Sequence, residues 1–539
     1  MSQAEPDLAP VPPRAAGSAP AEDSARAVRS TRAVGSTHAV GSTRATGSPP
    51  VQELGERLLC GWGRTAPTRA LMLRPRTAEE VAHVLGAPPT TPADRSTGRA
   101  GRDGTIARGA ARSYGDAAQN AGGTVIDTTA LREPIAEDPD GSSVRVGAGV
   151  TFGRLLVWLA ARGLTLPVVP GTRHLTVGGA IASDVHGKNH PRDGSFARHV
   201  RSFTLCTPAD GPLLVSNQLH PELFHATLGG MGLTGVVVEA TLRLAPLRNP
   251  RAVADIDRLD TLELAVAAVA AEQSHRYTIA WVDLLSEGSA FGRAVLTRSD
   301  EGPAIEVAGE GGGGLPRRLL GVATKMRAGG TDATTPISLR PRVTVPRGFP
   351  AGVLRPAAVR AFNALHWHAA PRRARGRTLS MSAQLFPLDA LGEWSRLYGP
   401  AGMVQYQFAL PRGEEQTLLR VVHLLRARRA PMYLAVLKRF GPGGRASDKG
   451  GPLSFPIEGF TLAIDLPAGA PGLHRALDDA DELVAGAGGR VYLAKDSRLR
   501  PAMLAAMYPR LERFRELRGQ VDPDGVLRSD MGRRLGLCG

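Results

Sequence analysis

The sequence predicts an α+β protein, and three observations along its 539 residues lead to that prediction. Up to about residue 250, short apolar runs alternate with helical patterns around two glycine-rich segments. Residues 251–489 then mix helices with alternating strands, a pattern typical of a largely antiparallel sheet with helices beside it. The last fifty residues return to a short strand followed by helices. The chain is therefore divided into residues 1–50, 51–250, 251–489 and 490–539.

Composition limits the class of protein. A chain of this length has room for about two to four domains, and 42% hydrophobic residues suits a globular protein. No run of about 18 apolar residues occurs, and no basic start precedes an apolar stretch, so we expect a cytoplasmic or membrane-peripheral protein. The three cysteines, Cys60, Cys206 and Cys538, show neither a disulfide framework nor metal-ligand spacing. We therefore predict no metal site.

The formal net charge of +16 requires an explanation. The arginines are scattered, and no basic helix is interleaved with aromatic residues, which argues against a nucleic-acid partner. Anionic small molecules or an anionic membrane surface are compatible with the charge. A high-GC genome that favours arginine would explain much of it as well.

Residues 1–50 carry a degenerate hexapeptide repeat, ARAVRS-TRAVGS-THAVGS-TRATGS. Small and polar residues dominate it, so it cannot bury enough apolar surface to offset its ordering entropy. The prediction is a disordered tail. Residues 309–335 are rich in glycine and arginine with little periodicity, which predicts a mobile loop.

The region 51–250 begins with a strand and a helix. Thr77 is a suitable N-cap, and Glu80 stands at capping-box spacing from it. The runs TIARGA and TVIDTT predict strands, and SVRVGAGVTFGRLLVWLAARGLT predicts a strand and a helix that ends near Gly163. Short strand–helix units thus surround both glycine-rich segments.

Those two segments are the strongest functional signal. The first, Ala107 to Asn120, reads ARGAARSYGDAAQN, and the second, Pro170 to His190, reads PGTRHLTVGGAIASDVHGKNH. Glycines allow the backbone to approach a ligand closely, and backbone N–H groups at such turns bind anions. A phosphate-bearing cofactor is the natural ligand. The spacing differs from the single GxGxxG turn of a Rossmann domain, which argues against NAD.

The same segments resemble the FAD-binding half of flavoproteins of the vanillyl-alcohol-oxidase type, also called PCMH-type. Within that group the sequence motifs are most similar to those of the decaprenylphosphoryl-β-D-ribose 2'-oxidases of actinobacterial cell-wall synthesis. The similarity runs from GWGRTAP at Gly61 through YGPAGMVQYQF, LKRFGP, PLSFPIEGF, YLAKDSR and SDMGRRL. It implies a two-part FAD-binding domain, formed by 51–250 and 490–539, and an α+β substrate domain at 251–489.

The resemblance also implies an activity. The family oxidises the 2'-hydroxyl of a polyprenylphosphoryl-β-D-ribofuranose to the 2-keto sugar with FAD, and an NADH-dependent keto-reductase partner completes epimerisation to the arabinose donor. Covalent members of the superfamily bind the flavin through a histidine of the first glycine loop. Arg112 stands at that position here, so non-covalent FAD is expected.

Family positions nominate the residues of the cofactor site. Glycines would permit close approach, while Ser113, Thr176 and Ser183 supply hydroxyl groups. The complete set is Ala107, Arg108, Gly109, Ala110, Ala111, Arg112, Ser113, Tyr114, Gly115, Asp116, Ala117, Gly171, Thr176, Val177, Gly178, Gly179, Ser183, Asp184, Val185, His186, Val238 and Tyr492.

The resemblance nominates catalytic and substrate residues too. Lys495 of YLAKDSR would stabilise the negative charge that develops as hydride reaches the flavin. His186 and Tyr114 are the other catalytic candidates, since a histidine can orient a substrate hydroxyl. The substrate-binding candidates are Lys188, Gln405, Gln407, Lys438 and Phe440, of which Lys438 would meet a phosphate. The two glutamines alternate with Tyr406 at period two, so a purely structural strand role remains an alternative.

Two departures from the family pattern stand out. Leu385 and Phe386 replace a tyrosine–histidine pair, which removes one polar wall of the substrate site. Ala463 replaces a cysteine of the mycobacterial members. Two other functions stay open: an aldonolactone or alditol oxidase that uses oxygen, and a flavin-binding protein that has lost catalysis.

Overall fold

The computed structural model describes residues 51–86, 103–303, 341–350, 354–442 and 450–538. The tail predicted at 1–50 and the loop predicted at 309–335 lie outside the described residues. The described residues all belong to one compact unit, so the domain boundaries near 250 and 489 stay predictions. No helix in the described ranges combines the length and apolar character that a membrane crossing requires.

The first sheet has four strands in the order β1-β2-β4-β3. These are β1 Gln52–Leu59, β2 Thr68–Arg74, β3 Thr105–Arg108 and β4 Thr124–Asp127. Helix α1, Ala78–Gly86, follows β2, and the Thr77 hydroxyl accepts the Glu80 backbone N–H at 3.2 Å as the sequence predicted. Strands β2, β4 and β3 are parallel, so the first glycine segment begins at the end of β3 beside β4.

The second sheet has five antiparallel strands in the order β5-β6-β10-β8-β9. The strands of this region are β5 Ile135–Glu137, β6 Ser143–Gly147, β7 Leu164–Thr165, β8 Val200–Thr207, β9 Gly211–Ser216, β10 Val236–Arg243 and β11 Ala245–Pro246, with β7 paired to β11. Its helices are α2 Phe152–Ala160, α3 Val177–Ala182, α4 His190–Asp193 and α5 Pro221–Thr227. After α2, Gly163 adopts φ +72°, which glycine tolerates best.

The third sheet has eight strands in the order β16-β12-β14-β13-β19-β20-β18-β21, and all its pairs are antiparallel. The strands are β12 Arg251–Leu259, β13 Tyr277–Val282, β14 Ala294–Glu301, β15 Val343–Thr344, β16 Arg373–Ser380, β17 Leu391–Gly392, β18 Met403–Pro411, β19 Leu434–Phe440, β20 Gly459–Pro467 and β21 Arg490–Val491, where β15 and β17 form a separate pair. The predicted largely antiparallel sheet is confirmed.

Eight helices follow β12 among the described residues. They are α6 Leu262–Ala271, α7 Pro356–Ala369, α8 Met381–Leu385, α9 Glu415–Ala427, α10 Leu473–Gly486, α11 Pro501–Met507, α12 Leu511–Val521 and α13 Asp530–Arg534. Leu418, Val421 and Leu477 of α9 and α10 join Phe408 and Leu462 of the strands in one buried cluster. Because strand side chains alternate between faces, the neighbours of Phe408 and Leu462 point the other way. That other face forms the wall of a cavity.

The end of the chain returns to the first sheet. The backbone N–H of Arg528 donates to Thr105 of β3 at 2.9 Å, and the Thr68 hydroxyl of β2 donates to Asp530 at 3.0 Å. Arg534 of α13 also pairs with Asp116 of the first glycine segment at 2.8 Å. Residues near 530 therefore stabilise the loop that borders the cavity.

Candidate active site

A cavity of about 1030 Å³ lies between the two glycine segments and the open face of the eight-stranded sheet. Side chains that alternate with the core residues line it from the sheet side, among them Gln405 and Gln407 of β18. Register places Ala463 of β20 opposite Gln407. The volume is at the upper end of ligand sites, which run to roughly 1,000 Å³. One cavity thus has room for a large cofactor and a substrate.

The first glycine segment is fixed to the YLAKDSR segment by backbone contacts. Tyr114 N donates to the Ala494 carbonyl at 3.0 Å. A Cβ atom at Gly115 would lie 1.9 Å from the Asp496 carbonyl oxygen, so only glycine allows the two backbones to touch here. Lys495 is thereby placed beside Tyr114 without any side-chain contact being required.

The second glycine segment approaches the first equally closely. A Cβ atom at Gly109 would lie 2.2 Å from the Thr176 hydroxyl oxygen. That hydroxyl in turn caps α3 by accepting the Gly179 backbone N–H at 3.3 Å. Gly178 N donates to the Ala148 carbonyl at 2.9 Å, which ties the segment to the second sheet. Together the two segments form a narrow cradle of backbone and small side chains.

The residues of this cradle fit FAD. Two residues that line the cavity, Arg112 and His186, each have a buried nitrogen, Nε and Nδ1, without a hydrogen-bond partner among the described residues. Buried polar atoms are normally satisfied, so unpaired nitrogens in residues that line the cavity are compatible with a polar ligand beside them. The Arg112 guanidinium lies 4.1 Å from the Trp62 ring centroid, which holds its charge at the cavity.

Most of the predicted cofactor residues line the cavity. These are Ala107, Gly109, Ala110, Ala111, Arg112, Ser113, Tyr114, Ala117, Gly171, Thr176, Gly178, Gly179, Ser183, Val185, His186 and Tyr492.

Six other predicted cofactor residues do not line the cavity, for reasons visible in their contacts. Arg108 donates to the Cys60 and Ala118 carbonyls, while Asp116 pairs with Arg534. Gly115 packs on the backbone of Asp496, and the Asp184 carboxylate accepts the Ala197 N–H. The last two, Val177 and Val238, are buried in apolar clusters.

Lys495 is one of the cationic residues that line the cavity. Its Nζ lies 3.7 Å from the centroid of the Tyr114 ring, within the range of a cation–π contact. Removal from bulk water lowers the pKa of Lys495 to about 7, while the charge of Asp465 acts in the opposite direction. Lysine at this position is therefore poised between its charged and neutral forms near neutral pH.

Asp465 is a site residue that the sequence analysis missed. Its Oδ1 accepts from Gln405 Nε2 at 2.5 Å, and the same amide nitrogen lies 3.3 Å from the Tyr114 hydroxyl. Burial raises the pKa of Asp465 to about 7, while the Gln405 hydrogen bond and Lys495 lower it. Its Oδ2 has no hydrogen-bond partner among the described residues. The carboxylate thus connects the predicted substrate glutamine to the predicted catalytic lysine.

His186 is buried among aromatic rings. Its ring centroid lies 4.8 Å from that of Phe440 and 5.4 Å from that of Tyr492. Burial, followed by the nearby Lys438, lowers the pKa of His186 well below its usual value, so the imidazole is neutral. Gln407 Nε2 lies 3.1 Å from His186 Nε2, so the amide donates to Nε2 and the neutral ring carries its hydrogen on Nδ1, which has no hydrogen-bond partner among the described residues.

Two further lysines line the cavity. Lys188 Nζ donates to the Gln384 carbonyl, and burial together with the charge of Lys438 lowers the pKa of Lys188 to about 7. Burial lowers the pKa of Lys438 to about 8. Phe440, predicted to touch substrate, does not line the cavity and packs on His186 and His190 instead. Lys188, Gln405, Gln407 and Lys438 do line it.

The sequence analysis also missed an apolar arm of the cavity. Ile256, Ile279, Trp281 and Val295 form its floor on the sheet, and Phe362 of α7 lines it as well. Leu385 borders the cavity while Phe386 is buried, so the polar pair found in the resembling family is replaced by apolar groups. The alternation of these strands indicated that each has one apolar face. Which of these faces line the same cavity depends on sheet register, which the sequence does not show.

Among the described residues, no group of histidine, cysteine, aspartate and glutamate side chains could hold a metal ion. The three cysteines are unpaired, and none lines the cavity. The polar side chains that line the cavity instead include lysines, an arginine, histidines, amides and the carboxyl groups of Asp389 and Glu393. Such a set suits binding and charge stabilisation around an organic cofactor.

Comparison with known proteins agrees with this geometry. Residues 70–217 match the FAD binding domain family, and residues 467–535 match the D-arabinono-1,4-lactone oxidase family. The chain is 38% identical over 483 residues to the decaprenylphosphoryl-β-D-ribose oxidase of Mycolicibacterium smegmatis, covering 89% of this chain and 97% of that protein. It is 41% identical over 401 residues to an uncharacterized Streptomyces coelicolor protein from the mprA 5' region, covering 72% of this chain and 100% of that protein.

More distant similarity covers a smaller part of the chain. The D-arabinono-1,4-lactone oxidase of Eremothecium gossypii is 28% identical over 130 residues, or 24% of each protein. The predicted PCMH-type fold, the FAD cofactor and the class of FAD-dependent oxidoreductase are confirmed. The chain belongs to the decaprenylphosphoryl-β-D-ribose oxidase family.

Proposed function

We propose that this protein oxidises the 2'-hydroxyl of a polyprenylphosphoryl-β-D-ribofuranose to the 2-keto sugar. The reaction would be the first half of an epimerisation that yields an arabinose donor for cell-wall polysaccharide. The observation that carries the proposal is the pair Lys188 and Lys438, both held at the cavity with lowered pKa values.

Two desolvated lysines are costly in an empty cavity because each prefers a hydrated ammonium. An anionic ligand within a few ångströms would favour their charged forms and raise both pKa values again. A phosphate on the substrate supplies such an anion. A neutral alditol or lactone does not, so the lysine pair favours a phosphorylated sugar.

The apolar arm supports a lipid on the same substrate. Trp281 and Phe362 contribute large apolar surfaces, and Ile256, Ile279 and Val295 complete the arm. Apolar groups of this kind bind a hydrocarbon chain through burial of its surface, at about 25 cal/mol per Å². A phosphate near the lysines and a prenyl chain in the arm would orient the sugar toward Lys495.

FAD, when bound, supplies the hydride acceptor for the oxidation. The chain's own residues would then position the substrate and stabilise developing charge. Lys495 would contribute positive charge where negative charge develops. His186, which is neutral and lines the cavity, would orient the sugar hydroxyl, and Gln405 would hold a second hydroxyl. Since the product is a ketone, a separate NADH-dependent keto-reductase is the partner that the proposal requires.

A second candidate is favoured by the match of residues 467–535 to the D-arabinono-1,4-lactone oxidase family. Under that alternative the substrate is an uncharged aldonolactone or alditol, and oxygen reoxidises the enzyme. The lysine pair would then have no anionic group to bind.

Anaerobic bleaching of the oxidised flavin separates these candidates. We expect a short-chain prenylphosphoryl ribose to bleach it, while the unphosphorylated riboside, alditols and aldonolactones do so at least about a hundredfold less efficiently. Lys438→Met should lower the affinity for the phosphorylated substrate at least about tenfold. Lys438→Arg, which keeps the charge, should lower that affinity less. Preferential bleaching by a lactone or alditol would overturn the proposal, and no bleaching by any of them would favour a catalytically inactive protein.

A further inference from the structure

The segment 341–380 has an unusual charge composition. It contains eight arginines and neither aspartate nor glutamate. Arg360 faces Glu287 at 3.8 Å, and Arg375 pairs with Asp255 and Asp257 from another strand. Five others form no salt bridge within the described parts of the chain and are exposed: Arg342, Arg347, Arg372, Arg373 and Arg377. The segment therefore presents unneutralised positive charge to solvent.

Large apolar side chains are exposed in the same segment. Val343 is 64% exposed, and Phe362 and Leu365 of α7 are 60% and 70% exposed. The two α7 residues are three positions apart and so share one side of the helix. In the whole of α7 only Val359 and Asn363 are buried, whereas a surface helix normally buries a continuous stripe. An apolar surface of this kind indicates an interaction site.

This surface is continuous with the apolar arm of the cavity. Phe362 stacks on His366 with 6.0 Å between ring centroids, and His366 lies 4.6 Å from Trp281. All three side chains line the cavity. A hydrocarbon chain would thus find apolar contacts from the outer side of α7 to the floor of the arm. Strand β16, at the edge of the sheet, follows α7 directly and carries Arg373 and Arg377.

We infer that this surface docks on an anionic lipid bilayer. We name it the arginine–apolar face and define it by Arg342, Val343, Phe362, Leu365, Arg372, Arg373 and Arg377. Its apolar side chains would enter the outer part of the acyl region, and its arginines would contact lipid phosphates. The inference deepens the proposed function and rests on it, since a lipid-linked substrate has to pass from a bilayer into the apolar arm.

Charge complementarity favours a bilayer over a neutral surface. An acidic protein would also attract the arginines, but it has no hydrocarbon chain to deliver into the arm. An electrostatic contribution implies that salt weakens the contact, because lipid attraction decays over a Debye length, about 8 Å at physiological ionic strength.

Vesicle co-sedimentation of the full-length FAD-loaded protein tests the inference. Vesicles of phosphatidylcholine with roughly one-third phosphatidylglycerol should bind the protein at least about tenfold more tightly than pure phosphatidylcholine, and added salt should weaken binding. The triple variant Leu365→Ser, Arg373→Gln, Arg377→Gln should lose at least about tenfold in vesicle affinity.

The chain offers a matched control on β1 and β2. Leu58 is 62% exposed and pairs across the strands with Arg69, next to Arg57. The variant Leu58→Ser, Arg57→Gln, Arg69→Gln therefore makes the same chemical change away from the arginine–apolar face, and it should keep wild-type vesicle binding.

Three outcomes would overturn the inference. The first is that the wild-type protein shows no binding to anionic vesicles, whether or not it binds an acidic protein. The second is that the triple variant binds vesicles as tightly as the wild type, and the third is that the control variant loses as much vesicle affinity as the triple variant. Flavin bleaching by a water-soluble short-chain substrate is measured in parallel. The triple variant should bleach at the wild-type rate, and if no prenylphosphoryl sugar bleaches the flavin, the proposed function fails while the vesicle result still decides the docking.

Discussion

The ammonium group of Lys495 lies 3.7 Å from the centroid of the Tyr114 ring, and the two backbones are joined beside it by the hydrogen bond from Tyr114 N to the Ala494 carbonyl. The pair brings together the first glycine segment and the end of the chain. The position of the cation is fixed by backbone contacts, including the one that leaves no room for a side chain at Gly115. Changes to the lysine side chain should therefore affect its charge without moving the loop.

Lys495→Ala should retain FAD but slow single-turnover flavin reduction at least about a hundredfold, the scale of one well-placed transition-state donor. Flavin content by absorbance and stopped-flow reduction are the measurements. Arg500→Ala provides the control, since Arg500 is exposed and pairs with Glu482 outside the cavity. Near-normal flavin reduction in the Lys495→Ala variant would contradict the role of Lys495 in stabilising the developing negative charge.

Asp465→Asn should move the alkaline limb of the reduction rate to lower pH. The negative charge of Asp465 raises the pKa of Lys495, which burial otherwise lowers to about 7. Without that charge the pKa of Lys495 falls further, so the protonated lysine is lost at lower pH than in the wild type. Because Asn keeps the shape of the side chain, FAD content should be unchanged.

The measurement for Asp465 is the pH profile of single-turnover reduction in both proteins. A uniform loss of rate with an unmoved alkaline limb would mean that Asp465 acts only through packing or through Gln405. A limb displaced to higher pH would contradict the sign of the interaction.

The contrast between Lys495 and Asp465 shows what the sequence could predict. The glycine segments and Lys495 belong to local motifs, and local backbone requirements are visible in residue type. Asp465 is significant only because register places it opposite Gln405 on β18, and that register is a long-range property. For the same reason the sequence does not show that Asp116, a predicted cofactor residue, pairs with Arg534 near the end of the chain.

FAD should be dissociable. Arg112 occupies the place of the flavin-linking histidine of covalent relatives, and its guanidinium lies over Trp62 rather than offering a nucleophilic ring nitrogen. Acid precipitation should leave the yellow colour in the supernatant, with an apoprotein mass in the pellet. Colour retained by the pellet, or an intact mass that includes FAD, would contradict this prediction.

The last prediction concerns Ala463, which lies on β20 opposite Gln407 and lines the cavity. Mycobacterial relatives have a cysteine at this position, which benzothiazinone-type nitroaromatic inhibitors, once activated by the reduced flavin, modify covalently. Alanine has no thiolate to act as the nucleophile. Cys206 and Cys538 are buried, burial raises the pKa of Cys206 to about 12, and Cys60 lies outside the cavity. We therefore expect no protein adduct with these inhibitors during turnover.

Ala463→Cys should gain one adduct, visible as a single mass increase by intact-protein mass spectrometry, because the new thiol would face the same cavity. Ala463→Ser controls for the added polar atom and should gain none. Oxidase activity of the untreated Ala463→Cys variant should remain close to wild type, since the assigned chemistry requires no thiol. An adduct on the unaltered chain would place a reactive cysteine at the cavity and contradict the geometry around β20, whereas an unmodified Ala463→Cys protein would show that the side chain at 463 does not face the bound inhibitor.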